Sequence, residues 1–159
     1  QTIATELENQ YLSGEYEPLE VNQAVSRCKE LCYFFDKKRI KVIRVGLQST
    51  DTISDPNKNE SSEIVAGPYH EAFRQLVDTQ IFYDKISEKI KGFEVKVKEV
   101  EISVNPQDIN NVVGYKRENI LKIKDMYDVD IKTKQDNKIK EGKIKIDIIK
   151  RYTDFLDEE

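Results

Sequence analysis

The residues best suited to chemistry are Gly114-Tyr115-Lys116-Arg117, a short polar turn set between apolar residues at helical spacing: Val112 and Val113 before it, Ile120, Leu121, Ile123 and Met126 after it. A turn at a helix N-terminus presents backbone N–H groups and the positive end of the helix dipole, which favour a phosphate. Lys116 and Arg117 add two cations there, and Lys122 and Lys124 follow on the face of the next helix. These six residues, Gly114, Tyr115, Lys116, Arg117, Lys122 and Lys124, are the candidate nucleic-acid contacts. A solvated basic turn joining two packed helices is the other reading of the same pattern.

Other reactive side chains are sparse. Cys28 and Cys32 stand four apart on one helix face, and the position that would complete a Cys-x-x-x-Cys-x-x-Cys cluster motif is Phe35, which cannot ligate. They read as small buried hydrophobes, with no support for a disulfide or a zinc site. His70, the single histidine, has no nucleophile or second ligand near it in sequence, so it reads either as a packed histidine or as one facing a substrate. Arg44 lies inside the run Ile40 to Leu47, where burial demands a carboxylate partner or a polar interior. No catalytic residue can be named.

The chain has 159 residues, 38% of them hydrophobic, enough to build a core for one ordinary domain or two small ones. No stretch approaches the length of a membrane span and no signal peptide opens the chain, which predicts a soluble, cytoplasmic protein. Opening at Gln1 in helical sequence, it reads as a piece of a longer protein. The net charge of −4 is unevenly spread: residues 114–151 hold twelve Lys and Arg against seven Asp and Glu, so the cationic surplus lies late in the chain.

The elements that position these residues follow from period and punctuation. Leu7, Tyr11 and Leu12 before Gly14 predict a first helix, and Val21, Ala24, Val25, Cys28, Leu31, Cys32 and Phe35 a second, strongly amphipathic one. Ile40 to Leu47 reads as a strand buried on both faces. Thr50 to Glu63 is polar and aperiodic and predicts a mobile loop. A long helix then runs from a start near Pro68 to Gly92, with His70 in its first turn. Alternating Phe93 to Val104 predicts a strand with a bulge near Glu99, followed by a short helix after Pro106. The turn and second helix come next, then strands at 129–134 and 143–149 and a last helix from Tyr152 to Leu156, with a frayed acidic tail.

Two resemblances rest on these residues. The turn, with the order strand, helix, helix, strand, strand, helix from Phe93, resembles a type I KH domain, whose Gly-x-x-Gly turn clamps single-stranded nucleic acid. Here Arg117 stands where the family has its second glycine. Thr5-Glu6-Leu7 with Tyr11, Gly14-x-Tyr16-x-Pro18-Leu19, Val42-Ile43-Arg44-Val45-Gly46-Leu47-Gln48 and Val65-Ala66-Gly67-Pro68-Tyr69-His70-x-Ala72-Phe73-x-x-Leu76-Val77 resemble the C-terminal part of radical SAM proteins related to the Elongator catalytic subunit, in a bacterial branch without the acetyltransferase domain. The resemblance implies an α+β chain in which residues 1–50 are the last elements of a partial TIM-like barrel, 51–92 a loop and connecting helix, and 93–159 a KH-like β-α-α-β-β-α domain. It also implies a [4Fe–4S] cluster and S-adenosylmethionine in the parent enzyme but no cofactor in this fragment, whose sequence lacks the cluster-binding cysteine motif. Arg44, Gln48 and His70 would lie at the barrel mouth, and RNA, plausibly tRNA, and the missing N-terminal barrel would be the partners. Exposed barrel edges would make the isolated fragment self-associate. A free-standing KH-like module and a purely structural packing domain are the alternatives.

Overall fold

Local signals place each helix end. A computed structural model describes residues 5–54 and 62–155, and the chain divides into two units between Val77 and Asp78. In the first unit, α1 (Glu6–Ser13) starts at Thr5 with a capping box: Thr5 Oγ1 accepts from Glu8 N–H at 3.2 Å and Glu8 Oε2 accepts from Thr5 N–H at 3.3 Å. Gly14, at φ 78°, ends it in the left-handed conformation that glycine adopts without a Cβ penalty. A second reciprocal cap, Glu20 with Gln23, opens α2 (Val21–Lys37). Only Ala24 and Val25 of its apolar stripe are buried; Leu31 and Phe34 are exposed.

Residues 40–47 depart from expectation. They form no strand ladder, and Ile40, Ile43 and Leu47 are exposed, Ile43 to 89%. A strand needs neighbours for its backbone N–H and C=O groups, and among the described residues the first unit contains no strand to supply them. Arg44 is exposed for the same reason. Of the predicted loop, residues 55–61 lie outside the described residues. Its flanks bond to one another, Glu63 N–H to Thr52 O at 2.8 Å and Ser62 Oγ to Ser54 O at 2.8 Å.

The long helix, α3 (Phe73–Lys91), begins in the first unit and continues into the second. It starts five residues after Pro68, and His70 precedes it rather than sitting in its first turn.

The second unit is built around a mixed three-stranded sheet of order β2-β1-β3. The central strand, β1 (Val97–Val104), pairs parallel with β2 (Asp130–Gln135) and antiparallel with β3 (Ile144–Arg151). A parallel pair requires a crossover, supplied by α4 (Ile109–Val113), the turn and α5 (Glu118–Tyr127). The register shifts on both sides of Glu99, the bulge that the interrupted alternation predicts. It lets Val97 and Val100, three apart, both face inward. The core joins Phe82, Ile86 and Ile90 of α3, Val97, Val100, Ile102 and Val104 of β1, Val112 of α4 and Ile123 of α5, with half-buried Ile131, Ile144, Ile146 and Ile148 from the edge strands. The chain is thus α+β. The predicted last helix is a 3₁₀ turn at Tyr152–Phe155, and Leu156 and the acidic tail lie outside the described residues.

Charged side chains line the outer sheet face in pairs. Glu99, its side chain 13% exposed, meets Lys132 at 2.6 Å and Lys150 at 3.8 Å. The β2–β3 connection is tied down by a buried carboxylate: Asp108 Oδ2 accepts from Gly142 N–H at 2.7 Å, Lys85 Nζ donates to Gly142 O at 2.6 Å, and Asn105 Nδ2 donates to Ile139 O at 2.9 Å. Burial pushes the Asp108 carboxyl above its ordinary value, outweighing the Gly142 N–H bond that pulls it down. A raised folded-state value means that stability is greatest where Asp108 is protonated and falls as pH rises through that value. Asp108→Asn keeps an acceptor for Gly142 and removes the buried charge. Its urea midpoint is therefore expected above the parent's at about pH 7 and level with it at about pH 3; a lower midpoint at neutral pH would mean that the charge holds the loop.

Candidate nucleic-acid interface

Residues 114–117 form a 3₁₀ turn between α4 and α5, and its backbone is unusual. Gly114, at φ 76° and ψ 166°, occupies a region open essentially to glycine alone. Lys116 (φ 47°) and Arg117 (φ 65°) follow in left-handed conformations that L-residues adopt at a cost of roughly 1–2 kcal/mol each. The position where a Gly-x-x-Gly turn has its second glycine is therefore held in a glycine-like conformation by an arginine. Strained backbone of this kind concentrates where ligands are held.

The side chains divide sharply. Tyr115 is 73% exposed, with Lys116 Nζ 5.3 Å from its ring centroid. The Arg117 side chain is exposed and makes no hydrogen bond or ion pair among the described residues. Lys122 and Lys124, also expected to face a ligand, are engaged: Lys122 with Glu118 at 3.2 Å and Lys124 with Asp130 at 2.6 Å. Two further features bear on phosphate binding. The N–H groups of Gly114, Arg117 and Glu118 are bonded within the turn, to the carbonyls of Asn110, Gly114 and Tyr115, so the helix start offers fewer free donors than its sequence suggests. Glu118 already brings a carboxylate to that helix end. Among the described residues, Lys116 and Arg117 are the two of these four cations that pair with no carboxylate.

Sequence reasoning missed Asn119, the residue that holds this turn in place. It is 2% exposed, and its Nδ2 lies 3.0 Å from Thr79 O, 3.2 Å from Asn111 O and 3.3 Å from Val112 O. One side-chain amide thus ties the end of α4, whose last carbonyls lack helical partners, to a carbonyl of α3. The only sequence signal was a polar residue on the apolar side of α5. The cluster beyond α5 was missed as well: Asp128 caps the helix and bonds the Tyr152 hydroxyl, with Lys98 3.5 Å from its carboxylate. The Tyr152 hydroxyl, then Lys98, holds the Asp128 carboxyl below its ordinary value.

Of the three proposed barrel-mouth residues, all in the first unit, one borders a cavity. His70 borders an apolar cavity of about 270 Å³ with Cys28, Gly46, Tyr69 and Phe73, while Arg44 and Gln48 do not line it. His70 is exposed, and its Nδ1 accepts from Ala72 N–H at 3.1 Å. Tyr69 reaches Ser49 Oγ at 2.7 Å. Cys28 and Cys32 are half-buried and not joined by a disulfide, and among the described residues no group of three or more His, Cys, Asp or Glu is placed to hold a metal ion. Nor is any helix there long and apolar enough to cross a membrane.

Comparison with known proteins gives one match. The sequence pattern of the radical SAM C-terminal domain fits residues 3–82, half of the chain. No curated protein and no solved structure matches.

Proposed function

The chain belongs to the radical SAM C-terminal domain family, and from that premise we propose that it is the C-terminal part of an Elongator-like radical SAM enzyme whose second unit, a KH-like module, engages RNA, plausibly tRNA. Family membership implies an enzyme with an iron–sulfur cluster and S-adenosylmethionine. The two cysteines of this sequence are fewer than the thiolates such a cluster takes. The residues here do not fit the cluster, and their contribution is to binding. In the first unit, Leu31, Phe34, Ile40, Ile43 and Leu47 are the apolar residues that the remainder of the barrel would cover, and Ile40 to Leu47 is the segment that would gain strand partners there. Self-association of the isolated chain, read by sedimentation, is what this arrangement predicts.

The observation that carries the RNA reading is the Gly114–Arg117 turn. It offers an exposed ring and two cations that no carboxylate among the described residues pairs with, on a backbone held in glycine-like geometry. Aromatic stacking with adjacent cations is the sequence-tolerant means of holding a single strand. The order strand, helix, helix, strand, strand in the second unit supports the KH-like reading, with a 3₁₀ turn where its last helix is expected. A structural packing role is the second reading, favoured by the pairing of Lys122 and Lys124 and by the carboxylate of Glu118 at the helix start. Titration of a single-stranded RNA at several salt concentrations separates the two. Lys116→Ala with Arg117→Ala is expected to flatten the slope of log K against log salt by about 1.4, two phosphate contacts at about 0.7 each. Equal affinity and equal slope in parent and variant would assign the turn to packing.

A further inference from the structure

We infer that the first unit binds a small neutral heteroaromatic molecule of about two fused rings, in the cavity between α2 and the segment that leads into α3. The cavity measures about 270 Å³. Its walls run from exposed Leu47 and His70 to Ala24 and Phe73, which are 6% and 7% exposed, so it opens to solvent and reaches inward. An apolar cavity of about 150 Å³ holds one benzene, and this one has room for a bicyclic ring system. Apolar walls with a few convergent polar groups are the usual make-up of a small-molecule site.

Three observations set the ligand class. The first is charge: among the described residues, no Asp, Glu, Lys or Arg lines the cavity. A phosphate, carboxylate or ammonium entering it would lose water and gain no counter-charge. The second is a space that the backbone keeps open. Gly46, at φ 81°, has the Phe73 ring where a Cβ would stand, 3.0 Å from Phe73 Cδ1, and glycine alone permits that approach. Gly67, at φ 119°, and the single methyl groups of Ala24 and Ala66 leave the middle unfilled, while the rings of Tyr69, His70 and Phe73 give an aromatic guest faces and edges to pack on. The third is one hydrogen-bond donor. His70 Nδ1 accepts from Ala72 N–H at 3.1 Å, so the ring proton is on Nε2, whereas the Tyr69 hydroxyl is already engaged with Ser49 Oγ at 2.7 Å. A guest with one ring nitrogen or carbonyl oxygen matches that donor. A free molecule fits and a base of RNA does not, because a base brings phosphates and no cation lines the cavity to receive them. The inference rests on this cavity alone and not on the RNA reading of the second unit.

Calorimetric titration of the full chain with quinoline tests affinity and class. Saturable binding with Kd below about 1 mM is expected, and 1-naphthoate, fused-ring but anionic, should bind at least about tenfold more weakly. Alkylation by N-ethylmaleimide with peptide mapping tests place: quinoline should slow the reaction of Cys28, which lines the cavity, and leave that of Cys32, which does not, unchanged. His70→Phe is expected to weaken quinoline about fivefold, the worth of one neutral hydrogen bond. Ala66→Phe, which fills the cavity from an exposed position, should abolish binding while the far-UV circular dichroism stays that of the parent. Saturating single-stranded RNA should leave the quinoline affinity as it is. No saturation by quinoline, equal binding of 1-naphthoate, equal slowing of both cysteines, undiminished affinity in both variants, or competition by RNA would each overturn the inference.

Discussion

Gly114→Ala is expected to destabilise the second unit by about 2–4 kcal/mol, summing a forbidden backbone conformation and a steric overlap. At φ 76° and ψ 166° an L-residue is strained whatever the space around it. The space is also taken: a Cβ there would stand 2.7 Å from Glu118 Cγ, 3.2 Å from Asn119 N and 3.3 Å from Thr79 Cγ2. The glutamate side chain can swing aside, but the Asn119 amide cannot move without shifting the start of α5. Urea unfolding followed by far-UV circular dichroism reads the loss as a lower midpoint with an unchanged slope. An alanine variant as stable as the parent would mean that α4 and α5 are not locked through this turn.

The second large effect is expected at Asn119. Asn119→Asp replaces the donor to three carbonyls with a group that, once ionised, can only accept, and buries its charge among them. A cost of about 3–5 kcal/mol at neutral pH follows, the range for an uncompensated buried charge. Burial among carbonyls raises the folded-state value of the introduced carboxyl, so the variant is most stable where that group is protonated and loses stability as pH rises through its folded value. Relative to the parent it should recover in acid, where the carboxylic acid again donates one hydrogen bond. Asn119→Ala provides the pH-independent comparison: it also removes the Nδ2 donor but buries no charge. Unfolding curves of the two variants across pH that ran parallel would show that position 119 is not enclosed as described.

Much of the second unit was legible because its sequence carries local rules that agree with one another. Period-two valines and isoleucines, the break at Glu99, Pro106, Gly114 and the alternation from Ile144 to Ile148 each mark an element that the structure contains. The glycine stop at Gly14 and the three-and-four spacing from Val21 to Phe35 made α1 and α2 similarly plain. What the sequence could not show is where side chains from distant positions meet. Asn119 and Thr79 are 40 residues apart and Lys85 and Gly142 57, and no spacing rule links them. Lys122 and Lys124 looked as available as Lys116 and Arg117 until Glu118 and Asp130 were placed beside them. The run Ile40 to Leu47 has the composition of a buried strand, yet burial and pairing are properties of its surroundings, and the described residues of this chain supply neither.

The proposed role of the turn rests on contact between RNA and Tyr115, and ultraviolet cross-linking of bulk tRNA to the chain, followed by peptide mapping, reads that contact directly. A cross-link concentrated on the peptide containing Tyr115, and lost when Lys116 and Arg117 are both alanine, is the predicted result. Cross-links confined to other segments while RNA remains bound would contradict it.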